Sequence, residues 1–154
     1  KTASLFSAAC ELGCLTVIED DIKRSALSRF GEKFGIVFQI RDDLLDIIGN
    51  INAMGKSVAF DLKKNIQTLP LIHIFNKLSN SETKKLKSKL RYHLKRSEMN
   101  AIRKLVVDEG GIEFAEAQIK RLSAEARDDL DIFPDSIYKN ALVSMLSFNA
   151  ARKQ

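Results

Sequence analysis

The stretch Phe38–Asn50 reads FQIRDDLLDIIGN and sets Asp42, Asp43 and Asp46 inside an apolar run. Ile36, Val37, Phe38, Ile40, Leu44, Leu45, Ile47 and Ile48 surround them, leaving little room for a solvated face. Carboxylates there are costly to ionise unless positive charge faces them. On a helix, Asp42 and Asp46 are four residues apart and share a face, with Asp43 beside them and Gln39 three residues before. Two arrangements relieve the cluster. The acids pair with Arg41 or with lysines of a neighbouring element, or a hard divalent cation sits against them. Mg²⁺ typically takes one or two protein carboxylates and completes its shell with water and phosphate oxygens. The second arrangement therefore predicts a phosphorylated ligand and cations to meet it. Lys1-Thr2 before the acidic helix, and Lys56, Lys63 and Lys64 after it, supply candidates.

Outward from this stretch, nearly everything reads as helix, and the class is all-α. Residues 1–17 are rich in Ala and Leu, and roughly 21–48 form one long helix containing Gly31 and Gly35. Each glycine costs about 1 kcal/mol of helix propensity relative to Ala, so a close-packed neighbour or ligand is expected there. Gly49, Asn50, Asn52 and Gly55 mark a loop, and a helix follows Pro70. Leu86, Leu90 and Leu94 predict an amphipathic helix over about 82–96. Met99, Ile102, Leu105 and Val106 predict another over 99–108. After Gly110-Gly111 a stripe runs from Ile112 to Leu130, and Phe133-Pro134 precedes a last helix with Tyr138, Leu142, Met145 and Phe148. Strand-like alternation and internal repeats are absent from the sequence.

The 154 residues suit one ordinary domain, 1–154, and 45% hydrophobic with 29% charged residues excludes a disordered chain. No apolar run approaches the roughly 18–20 residues of a bilayer span, so stable membrane insertion is not expected. Cys10 and Cys14, one helical turn apart, read as free thiols in a reducing compartment, hence a cytoplasmic protein. Charge is local. Lys84, Lys85, Lys87, Lys89, Arg91, Lys95 and Arg96 fall within 84–96 without one acid. With those seven set aside, the net +5 becomes −2. This is a solvated outer face or a surface for an acidic or membrane partner; no aromatic platform or helix-turn-helix pattern supports nucleic acid. His73 and His93 read as packing or surface residues, and no Ser-His-Asp or Cys-His arrangement is present.

FQIRDDLLD, followed by GKSVAFDL (residues 55–62) and TLPLI (68–72), resembles the second aspartate-rich region of the trans-isoprenyl diphosphate synthases, the polyprenyl synthetases. KTASLF (1–6) is similar to the family's Lys-Thr helix, and EGGIEFAEAQI (109–119) with FPDSIYKNAL (133–142) and FNAARK (148–153) resembles its C-terminal helices. The resemblance covers the whole chain. It implies the C-terminal portion of an isoprenoid-synthase helical bundle and a homodimeric enzyme in full length. Asp42, Asp43 and Asp46 then bind Mg²⁺ bridging to a diphosphate, while Lys1, Thr2, Gln39 and Lys56 contact it. The implied reaction joins isopentenyl diphosphate to an allylic diphosphate by ionisation, condensation and elimination, with no side-chain nucleophile.

The chain departs from the family pattern in two places. No earlier Asp-Asp-x-x-Asp precedes residue 42, and Glu19-Asp20-Asp21 and Asp128-Asp129 with Asp131 have other spacing. A chain holding half the metal and substrate shell is expected to be inactive alone. Asn65 and Ile66 stand where the family has Gly and Lys in its Gly-Lys-x-Thr-Leu-Pro motif, which leaves one diphosphate contact without its family lysine unless Lys63 or Lys64 compensates. Ile66 also allows a non-catalytic subunit of a heteromeric synthase, and the basic helix allows a helical interaction domain. Small residues Ala3, Ser4, Ser7, Ala8 and Ala9 suggest a product longer than farnesyl diphosphate, with Phe6 as a possible plug.

Overall fold

The computed structural model describes residues 1–17, 19–48, 68–90 and 94–152. Among these residues the chain forms seven helices and no strand: α1 (Thr2–Leu15), α2 (Asp21–Ile48), α3 (Leu69–Lys77), α4 (Asn80–Leu90), α5 (Arg96–Asp108), α6 (Gly111–Asp128) and α7 (Ile137–Ala151). They divide into two compact units, one of residues 1–41 and 118–152, the other of 42–117.

In the first unit α1 lies directly on the backbone of α2. A Cβ at Gly31 would stand 2.5 Å from the Phe6 carbonyl oxygen, and one at Gly35 2.6 Å from the Ala3 Cα. The neighbour expected at the two glycines is thus a helix of the same chain. Ser7 and Ser28 join hydroxyls at 2.9 Å across this contact. Phe30, Phe34, Ala126, Leu130 and Leu146 form the core, with Phe6, Leu27 and Leu142 against it. Asp129, one of the later acids, is clamped by Arg29 and Lys33, so its role is structural. Asp20 starts α2 by accepting from the backbone N–H of Ile22 and Lys23, and these bonds hold its carboxyl below the ordinary range. Both cysteines are free; Cys14 is buried, Cys10 is half-buried, and desolvation pushes the Cys10 thiol up.

The second unit is built on Ile47, Leu71, Ile74, Phe75, Leu86, Leu90, Leu94, Met99, Ile102 and Val106. Thr68 precedes α3 in extended conformation, and Pro70 occupies its first turn, where a missing N–H costs nothing. The sequence predicts a single basic helix over 82–96, and the structure corrects this. α4 begins earlier, where Ser79 and Glu82 exchange side-chain-to-backbone bonds, and it ends at Leu90. Leu94 is buried in the same core but lies outside any helix. The Lys95 N–H donates to Glu98 at 2.9 Å, which begins α5 at residue 96. A leucine every fourth residue marks burial here, not continuity. Gly110 takes φ +76 between α5 and α6, the left-handed conformation glycine tolerates, and Lys77 donates to the Glu109 carbonyl beside it.

Candidate functional site on the acidic helix

α2 runs unbroken from Asp21 to Ile48, so the helical register read from the sequence applies throughout it. Its buried side carries Val37, Ile40, Leu44 and Ile47. Asp43 falls three residues after Ile40 and four before Ile47, and accordingly is only 9% exposed. Asp42 falls three after Gln39 and four before Asp46; Gln39 and Asp42 are exposed and Asp46 is half-buried. The three acids are therefore not equivalent. Asp42 and Asp46 share a solvent-reaching face with Gln39, while Asp43 turns toward the packed side.

The close approach of α1 at Gly35 has a chemical consequence. It brings Thr2 against α2, where its hydroxyl donates to the Gln39 carboxamide oxygen at 3.1 Å. That bond sets which way the Gln39 amide points. Lys1 precedes α1 and is exposed. Lys56 lies outside the described residues, as do Lys63, Lys64, Asn65, Ile66 and His93. His73 stacks on Phe114 with ring centroids 4.3 Å apart, a packing role as expected.

Arg103 and the backbone role of Arg41 were not anticipated. Arg103, on α5, is 9% exposed and donates to the Asp46 main-chain carbonyl at 3.0 Å. Burial pushes its guanidinium below the usual arginine range, and the nearby Asp46 charge partly restores it. The signal was a cation on the stripe of Met99, Ile102 and Val106, where a polar residue is out of place. Arg41, buried, donates to the carbonyl of Ala150 in the last turn of α7, an unsatisfied helix-end acceptor. Phe6 turns onto α2, its ring 4.9 Å from that of Phe34 and 6.0 Å from that of Phe38. With Phe34, Phe38, Met145 and Phe148 it lines a cavity of about 250 Å³.

Among the described residues, no three acids, histidines or cysteines gather into a metal cage. The donor chemistry nevertheless fits a hard cation that draws most of its shell from a ligand. It offers carboxylate oxygens on an exposed helix face with an amide beside them.

A family model described as polyprenyl synthetase matches residues 1–108. The chain belongs to the polyprenyl synthetase family. An octaprenyl diphosphate synthase of Haemophilus influenzae is 28% identical over 99% of this chain and 46% of its own length. The geranylgeranyl pyrophosphate synthase of Bacteroides thetaiotaomicron superposes with TM-score 0.88 at 30% identity, over 99% of this chain and 50% of that one. A polyprenyl synthase of Caulobacter crescentus, solved with calcium and isoprenyl diphosphate, gives TM-score 0.85 at 28% identity, over 100% of this chain and 47% of that one. The chain thus spans about half the length of the relatives it matches.

Proposed function

We propose that this chain supplies the second aspartate-rich half of a trans-prenyltransferase, which condenses isopentenyl diphosphate with an allylic diphosphate to give a polyprenyl diphosphate. The observation that carries the reading is the shared face of Gln39, Asp42 and Asp46 on an unbroken α2, with Thr2 hydrogen-bonded to Gln39. Asp42 and Asp46 would hold Mg²⁺, with Asp43 supporting from the buried side. When bound, the ion neutralises charge on the departing diphosphate. Thr2 fixes the Gln39 amide, and the pair orients the diphosphate by hydrogen bonding. Lys1 and Lys56 would add positive charge where the leaving group gathers negative charge, the preorganised electrostatic support this chemistry needs. No side chain has to act as a nucleophile. The octaprenyl and geranylgeranyl names of similar proteins support a product longer than farnesyl diphosphate. Homodimerisation and a cytoplasmic location belong to the same proposal.

The test is titration calorimetry of a non-hydrolysable allylic diphosphate analogue with and without Mg²⁺. Binding should require the ion, and Asp42→Ala should abolish it while costing far less in stability than in binding. Magnesium-independent binding, or an Asp42→Ala variant that binds like wild type, overturns the metal role. The 154-residue chain alone should form no product from the two diphosphates.

A further inference from the structure

The outer face of α4 carries positive charge that no ion pair among the described residues engages. Lys84, Lys85 and Lys89 are exposed, and none makes an ion pair among the described residues. Lys87 differs, since its ammonium sits 4.9 Å over the Phe75 ring. Glu82, the one acid of α4, is bonded to Ser79, whose hydroxyl and backbone N–H lower its pKa, with a lesser contribution from the Lys85 charge. The apolar side of the helix is already used, because Leu86 and Leu90 are buried in the core. Beside the lysines runs a groove of about 250 Å³ lined by Leu78, Leu86 and Leu105 and edged by Lys85, Lys89 and the Ser79-bound Glu82. An apolar floor with two ammonium groups on its rim, and its one carboxylate held by Ser79, matches an anionic amphiphile, with phosphate at the lysines and hydrocarbon in the groove.

We propose that α4 docks the protein on the surface of a bilayer containing anionic phospholipid. This is adsorption without insertion; no helix among the described residues is long and apolar enough to cross a membrane. Lysines are compact point charges that answer a diffuse negative surface. Single-stranded nucleic acid fits less well. Asn80–Leu90 contains neither an aromatic residue nor an arginine on which bases could stack. The apolar groove also has no counterpart on a phosphate backbone.

The experiment is co-sedimentation of the purified protein with vesicles of phosphatidylcholine alone, or with about one-third phosphatidylglycerol. Salt is varied from about 0.1 M to about 1 M, over which the screening length falls from about 10 Å to about 3 Å. The protein should bind the anionic vesicles only and be released by the high salt. The triple variant Lys84→Gln, Lys85→Gln, Lys89→Gln should bind about a hundredfold more weakly, at roughly fivefold per lysine. Its circular dichroism and melting temperature should match wild type, because all three side chains are exposed. Absent binding, equal binding to neutral vesicles, salt-insensitive binding or a triple variant that binds like wild type would each overturn the proposal. Tighter binding to a short single-stranded RNA than to the anionic vesicles would overturn it in favour of nucleic acid.

Discussion

α1 and α4 are both short helices, and they are held by opposite means. α1 touches α2 backbone to backbone: Gly31 and Gly35 admit Phe6 and Ala3 with no space for a methyl group. α4 is held through the side chains of Leu86 and Leu90 and presents lysines to solvent. The first contact is specific in position and intolerant of volume. The second rests on side chains and tolerates change along its solvent-facing lysines. Position matters where chemistry is organised, and the α1 contact is the one that brings Thr2 to Gln39.

The largest effect should come from breaking the first contact. Gly31→Val places atoms inside the Phe6 carbonyl, which cannot yield as a flexible side chain would. A loss of about 3 kcal/mol or more is expected by urea denaturation, at the upper end of overpacking costs. A Gly31→Val protein as stable as wild type would mean that α1 is not seated there. Next comes Leu86→Ala, which removes one of the two leucine anchors and should cost about 2–4 kcal/mol. Because α4 is held only through side chains, the variant should lose stability without disturbing the Mg²⁺-dependent diphosphate binding proposed above. Loss of both together would blur the contrast between the two helices.

Acid titration offers a smaller test. The carboxyls of Asp20, which starts α2, and Glu82, which starts α4, are both held below their ordinary values by hydrogen bonds. A depressed carboxyl contributes stability above its unfolded pKa and loses it as pH falls through the folded one. Wild type should therefore lose stability below about pH 4, and Asp20→Asn with Glu82→Gln should flatten that slope. An unchanged slope would show that neither cap responds to its charge. Least of all, Lys84→Gln should leave stability within about 0.5 kcal/mol of wild type by thermal melting, because Lys84 is exposed and makes no ion pair among the described residues.

The sequence made the acidic helix legible because α2 has no proline and a continuous apolar side, so spacing translated directly into faces. It did not distinguish Asp43 from Asp42, although Ile40 and Ile47 bracket Asp43 at helical distance and so mark it for burial. The glycines of α2 signal a close contact in the sequence, but only the fold identifies α1 as the partner. The break between α4 and α5 was missed because hydrophobic spacing reports what is buried, and Leu94 is buried in the core without being helical. The Ser79-x-x-Glu82 pattern would have placed the start of α4. Arg103 is legible as a cation on the apolar stripe of α5, but its acceptor is not, because no residue pattern marks a main-chain oxygen. The placement of Lys56 lies outside the described residues.

Arg41 and Arg103 share a habit with an evolutionary edge. Arg41 grips the carbonyl of Ala150 and Arg103 the carbonyl of Asp46, and both of these acceptors are peptide oxygens. Any residue at 150 or 46 presents the same oxygen. Drift at those two positions keeps both main-chain bonds, although a change at 46 also removes the charge that faces the buried Arg103, whereas replacing the arginine at 41 or 103 forfeits the bond itself. A lineage that lost the carboxylate at 46 would forfeit the proposed chemistry and the charge facing Arg103, yet keep the main-chain bond between them.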